Sequence, residues 1–185
     1  APLKRRIGGV RAGSGAYVWC LTTAGMKLLN LKNEGSDETK RKRTIEPSTK
    51  FLEHTLAIAE AYVQLTLIQE KNSEVELIKV EVEPDCWRKY VKDDDAVTYL
   101  KPDLYAITTT GEFEDYWFFE IDLATEAPSR IIRKCRQYFR YFLSGAEQRE
   151  TGVFPLVVWI VPDKKRATTL QQHVADESSL ERKDI

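Results

Sequence analysis

Residues 101–122 read Lys-Pro-Asp-Leu-Tyr-Ala-Ile-Thr-Thr-Thr-Gly-Glu-Phe-Glu-Asp-Tyr-Trp-Phe-Phe-Glu-Ile-Asp. Two extended runs flank a turn at Gly111-Glu112, with Thr110-Gly111 breaking the first of them. The second run, from Tyr116 to Leu123, is apolar on both faces, the mark of a central strand. A basic helix follows from Ser129 to about Leu143, with Pro128 in its first turn. Its apolar positions are Ile131, Ile132, Cys135, Tyr138, Phe139 and Phe142, and Ser144-Gly145 ends it.

This stretch also carries the chemistry. Side chains alternate along a strand, so Glu120 and Asp122 share a face, about 7 Å apart. A register centred on the turn sets Asp103 opposite Glu120 or Asp122. Their neighbours are Tyr105, Phe118 and Phe119, so three like charges gather among aromatics. Burying them together is costly without a cation. An oxygen-rich, histidine-poor set suits Mg2+ or Mn2+. Such an ion binds phosphate oxygens and activates water for phosphodiester hydrolysis. On the helix, Arg130, Lys134 and Gln137 share one face. Lys134 is expected to point toward the carboxylates and stabilise charge on a phosphate. Arg130, Arg133, Arg136 and Arg140 supply cations for backbone phosphates. The plainer alternative is strand-end acids paired with a basic, solvated helix.

Outward from this stretch, the chain reads as a succession of elements. Pro47-Ser48 opens a helix with Ser48 as N-cap, and Phe51, Leu52, Thr55, Ile58, Ala59, Tyr62 and Val63 recur at helical spacing. Glu53, His54 and Glu60 on it read as solvent-facing. Residues 76–83 alternate as a strand stopped by Pro84, and 86–95 read as an irregular charged loop. Tyr99 to Thr109 reads as one strand. Val153 to Val161 reads as a buried strand, and Lys164 to about Val174 as a last helix. The order is α-β-β-β-α-β-α, an α/β (α+β) domain over residues 47–185. Its first three strands form a meander, and the helical connection to the fourth implies a parallel crossover.

Residues 33–46 contain Gly-Ser-Asp-Glu-Thr and then Lys40 to Arg43, a polar linker. Its basic run either touches phosphates or serves as a solvated tether. Ahead of it, residues 1–32 form two short strand-like runs around Ala12 to Gly15, then a short helix capped by Thr22 or Thr23. A basic hairpin before such a helix reads as the wing and final helix of a winged helix-turn-helix. Lys4, Arg5, Arg6 and Arg11 are its candidate DNA contacts. The helices that would precede a wing are not in the sequence, so the chain reads as part of a longer protein.

The 185 residues are 42% hydrophobic, 31% charged and 10% aromatic, with a formal net charge of -1. That composition belongs to a globular domain, not a disordered tail. Neutrality excludes whole-molecule attraction to nucleic acid, but the basic and acidic runs are segregated, which permits a cationic face. Cys20, Cys86 and Cys135 are odd in number and far apart, without CxxC spacing. Neither a zinc site nor a disulfide framework is indicated; reduced thiols in a cytoplasm are expected. No apolar run approaches the ~20 residues that span a bilayer, and no membrane partner is expected.

The order of elements, with Pro102-Asp103 and Glu120-x-Asp122, resembles the PD-(D/E)XK, or restriction-endonuclease-like, nuclease fold. The resemblance implies that Asp103 and Glu120 hold the metal. A lysine is then expected two residues after the glutamate, where this chain has Asp122. Some members carry that lysine on the next helix, and Lys134 is the counterpart. Arg6-Ile-Gly-Gly, Tyr17-Val-Trp-Cys-Leu-Thr, Phe51-Leu-Glu-His, Glu120-Ile-Asp-Leu-Ala-Thr-Glu-Ala-Pro-Ser and Lys134-x-x-x-Tyr138 together resemble the plasmid replication-relaxation family. That resemblance implies a winged-helix part joined to a nuclease-like part, acting on plasmid or mobile-element DNA in bacteria.

Three functions are open on these residues. The first is a metal-dependent DNA nuclease or nickase, with Asp103 and Glu120 on the ion, Asp122 assisting or holding a second, and Lys134 supporting the transition state. The second is a non-catalytic DNA-binding replication accessory on a degenerate nuclease fold. The third is an interaction module whose acidic face recruits other replication proteins.

Overall fold

A computed structural model describes residues 2–6, 17–19, 21–32, 48–92 and 95–177. The chain divides into two units, Ala1–Thr55 and Leu56–Ile185. In the first, β1 (Pro2–Arg6) pairs antiparallel with β2 (Tyr17–Trp19), Arg6 standing opposite Tyr17. Thr22 caps the next helix, α1 (Thr23–Lys32), its Oγ1 accepting from the Gly25 N–H at 3.1 Å. Arg11 and the expected linker, 33–46, lie outside the described residues. Ser48 Oγ accepts from the Phe51 N–H at 3.3 Å and opens α2 (Thr49–Lys71). The division between units falls inside α2.

The second unit continues with β3 (Val75–Val82), β4 (Arg88–Val91), β5 (Val97–Leu100), β6 (Leu104–Thr110) and β7 (Phe113–Ile121). Then come α3 (Pro128–Ser144), α4 (Ala146–Thr151), β8 (Leu156–Ile160) and α5 (Lys164–Ala175). One sheet runs β3-β6-β7-β8. Its first three strands are antiparallel, and β8 joins β7 in parallel. The result is an α+β protein with a mixed sheet and, among the described residues, five helices.

Alternation along β6 and β7 builds a core on each face of the sheet. Leu104, Ala106 and Phe119 face one way, onto Ala61 and Leu65 of α2. Tyr105 and Phe118 face the other, onto Tyr138 and Tyr141 of α3. Phe118 is fully buried, and a phenylalanine so placed contributes about 1.5–3 kcal/mol. The two-residue turn between the strands has Gly111 at φ 62, a conformation that a β-carbon disfavours. Gly145, at φ 64, closes α3 with its N–H on the Phe142 carbonyl.

Four expectations differ from what is found. The single strand expected over 99–109 is two strands in separate sheets, parted at residues 101–103. Pro102 has no N–H for a ladder, so the chain turns there. Its first half, β5, pairs with β4 in a ribbon where an irregular loop was expected. The strand expected to be buried near 153–161 is β8, an edge strand with Leu156 58% exposed. On α3, Tyr141 is buried while Phe142 and Cys135 are only partly so.

Candidate active site

Asp103 sits where β6 begins, pinned on both sides. Its N–H donates to the Phe119 carbonyl at 3.1 Å, and its carbonyl accepts from the Glu83 N–H at 3.1 Å. Its carboxylate Oδ2 accepts from the Ile121 N–H at 2.7 Å. Leu104 pairs with Phe119, so the next step along the antiparallel register brings Asp103 opposite Glu120. Of the two partners left open by the sequence, Glu120 is the one.

Glu120 is 3% exposed. Its Oε1 accepts from the Tyr138 hydroxyl at 2.5 Å, and its Oε2 lies 3.0 Å from Lys134 Nζ. Lys134 also donates to the Lys101 carbonyl at 2.6 Å. Lys134 and Tyr138 are one helical turn apart on α3, so both reach one carboxylate. Burial pushes the Glu120 carboxyl up to about 7 from an ordinary 4.5; Asp103 adds to the rise, while Lys134 and Tyr138 oppose it. Burial, and then the Glu120 charge, hold the Tyr138 hydroxyl well above its ordinary value.

Asp122 does not join this group. The strand ends at Ile121, and the Asp122 N–H goes to the Ile160 carbonyl. Its buried carboxylate receives the Arg166 fork, Nε on Oδ2 at 2.6 Å and Nη2 on Oδ1 at 3.2 Å. Oδ1 also accepts from the Ala124 N–H at 3.0 Å. Arg166 reaches the Glu126 carbonyl as well, at 2.8 Å. Its helix, α5, is capped by Asp163, whose Oδ1 takes the Arg166 N–H at 2.7 Å. Asp122 therefore ties the loop after β7 to α5.

Among the cations assigned to phosphates, Arg130, Arg133, Arg136 and Arg140 are all exposed on α3. Arg130 pairs with Glu126 at 3.1 Å and Arg136 with Glu177 at 2.8 Å. Lys4, Arg5 and Arg6 belong to β1.

The donor set bears on a metal as follows. Among the described residues no three His, Cys, Asp or Glu side chains are grouped to hold an ion. Mg2+ commonly takes only one or two carboxylates and completes its shell with waters and substrate phosphate. Asp103 and Glu120, opposite each other on paired strands, fit that open mode and not a closed cage.

Sequence reasoning missed three partners. Tyr138 was legible as a helix residue one turn past Lys134, but its apolar neighbours marked it as core. Arg166 lies 44 positions from Asp122, and no local pattern connects them. Arg88 of β4 reaches buried Glu147 of α4 at 3.4 Å, again without a local signal.

A sequence model of the replication-relaxation family matches residues 1–157, most of the chain. No curated protein and no solved structure matches it.

Proposed function

The chain belongs to the replication-relaxation family, and from that premise we propose that it processes plasmid or mobile-element DNA as a metal-dependent nuclease or nickase. In this reading α2, β3, β6, β7, α3, β8 and α5 are a restriction-endonuclease-like PD-(D/E)XK core, and β1, β2 and α1 are the wing and final helix of a winged helix-turn-helix. The observation that carries it is Lys134 Nζ at 3.0 Å from Glu120 Oε2, with Asp103 across the strand pair. A buried acid pair with a lysine aimed into it is an arrangement for phosphate chemistry.

Asp103 and Glu120 would hold Mg2+ or Mn2+, which would neutralise phosphate charge and lower the pKa of bound water. Lys134 holds a positive charge beside the scissile phosphate and offsets charge that develops there. Tyr138 fixes the Glu120 carboxylate and keeps one of its oxygens turned toward the helix. Lys101 anchors Lys134 through its carbonyl, so the ammonium does not swing into solvent. Asp122 keeps to Arg166 and holds the loop between β7 and α3.

Supercoiled plasmid incubated with the protein and Mg2+ or Mn2+ should be nicked, and EDTA should stop it. Asp103→Ala and Lys134→Ala should each lower the rate by at least about 100-fold, the scale of losing one positioned electrostatic group. Intact plasmid across a range of both ions would overturn catalysis. One observation favours a second reading, a DNA-binding replication accessory without cleavage. Asp122 stands where the lysine of the motif is expected, and it is consumed by Arg166. That reading requires DNA binding that is indifferent to EDTA and to Glu120→Gln.

A further inference from the structure

The β4–β5 ribbon has one buried and one open face. Arg88 pairs with Leu100, Lys89 with Tyr99, Tyr90 with Thr98, and Val91 with Val97. Alternation turns Tyr90 and Leu100 inward, 7% and 1% exposed, with Tyr90 edge-on to Tyr141 of α3 at 5.0 Å between ring centres. The same alternation turns Lys89, Val91, Val97 and Tyr99 outward. The last three are 53%, 56% and 48% exposed. One step beyond the ribbon, Lys101 lays its ammonium 4.2 Å from the centre of the Trp87 ring. The open face thus combines one exposed aromatic, Tyr99, with Lys89, Lys101 and two valines, while Trp87 is half-buried against the core at its end. Lys101 is also the residue whose carbonyl receives Lys134 at 2.6 Å, so the ribbon ends at the edge of the Glu120 site.

We propose that this open face is a binding surface for unpaired nucleotides of single-stranded DNA, gripping the strand beside the Glu120 site. The proposal rests on the DNA-processing reading above. Aromatic rings stack on bases of any sequence, and interleaved lysines meet the phosphates between them. Charge complementarity selects this occupant. Lysine is depleted at the centre of protein–protein interfaces, whereas here Lys89 stands directly across from Tyr99. A duplex hides its base faces inside the stack, so Tyr99 serves only melted or nicked DNA. In the turn between the two strands Asp95 is exposed. That charge repels phosphates, which directs the strand toward the Lys101 end and the site.

The test uses the whole 185-residue chain in EDTA, with fluorescence anisotropy on three labelled probes. These are an oligothymidine, a strand of equal length made of abasic nucleotides, and a duplex. Tyr99→Ala should weaken oligothymidine binding about tenfold, within the range for one lost stack, while Tyr99→Phe keeps it. The abasic strand should bind the wild type about tenfold more weakly than oligothymidine and ignore Tyr99→Ala. Lys89→Ala, from the same face, should weaken both single strands. Duplex binding should be unchanged in all three variants. Equal oligothymidine affinity in wild type and Tyr99→Ala, or equal affinity for thymidine and abasic strands, overturns the ribbon assignment while duplex binding persists. If neither single strand nor duplex binds, the DNA reading beneath it fails as well.

Discussion

Glu120 is a carboxyl that the fold holds against ionisation. Burial is the main cause, and it places the group at about 7 where an unfolded chain would have about 4.5. The protonated form is therefore the one the fold favours. Its stability contribution is complete below about 4.5 and is lost as pH climbs through about 7. The gap between those two values, at about 1.4 kcal/mol per pH unit, sets a scale of about 3 kcal/mol. Glu120→Gln has the same shape and no titration. In EDTA, urea denaturation of the two proteins should show the wild type losing ground to Glu120→Gln between pH 5 and pH 8, by on the order of 1–3 kcal/mol. Stability curves that run parallel over that range would contradict the assignment. If Asp103 and Glu120 hold a divalent ion as proposed, adding it should narrow the gap at pH 8, because such an ion would bind the ionised form in the folded state.

At the scale of elements, what could be read in the sequence was what neighbours in sequence decide. The β6–β7 hairpin follows from Gly111 and from two runs of β-forming residues, and α3 from its apolar spacing and its Pro128 and Gly145 ends. Asp103 and Glu120 follow from that one hairpin and its register. What could not be read is decided by elements that meet only on folding. The Arg88 guanidinium lies 4.3 Å from the centre of the Tyr105 ring and 3.4 Å from Glu147 Oε2, and Glu147 also accepts from the Tyr141 hydroxyl at 2.5 Å. Nothing in Arg88-Lys89-Tyr90-Val91 marks the arginine as inward-facing, and a charged strand reads as loop. Glu147 is 1% exposed. Removing its cation leaves a buried charge without compensation, a loss of about 3–5 kcal/mol. Arg88→Ala should therefore unfold at markedly lower urea, and Arg88→Ala with Glu147→Gln should recover part of the loss. If the double variant is as weak as the sum of the two single ones, the pair is not coupled. The same long-range character hid Asp122–Arg166, and it explains why equal spacing along β7 assigned Asp122 and Glu120 to one cluster. A strand's alternation fixes the side on which a residue lies, but only while the strand lasts, and β7 ends at Ile121.

Across the whole molecule, a net charge of -1 leaves no general attraction to DNA. Any affinity must come from how charge is distributed, and the distribution is uneven. Arg130, Arg133, Arg136 and Arg140 stand exposed along α3, on the helix that sends Lys134 and Tyr138 to Glu120. A duplex lying on that helix would present its phosphates to the stripe and its backbone to the acid pair. Arg130 and Arg136 are engaged with Glu126 and Glu177, so their contribution to binding is offset by breaking those pairs. Arg133 and Arg140 are the sharper probes. Every duplex phosphate that a variant no longer neutralises removes about 0.9 from the slope of log K against log salt. Arg133→Ala with Arg140→Ala should flatten that slope by about 1.8, two phosphates' worth, and lower affinity at about 50 mM NaCl more than at about 200 mM. Titrations of labelled duplex against protein at four or five salt concentrations measure it. Superimposable slopes for wild type and variant would move the duplex off α3, leaving β1 as the surface to search. A slope that flattens while Asp103→Ala binds normally would separate gripping DNA from cutting it.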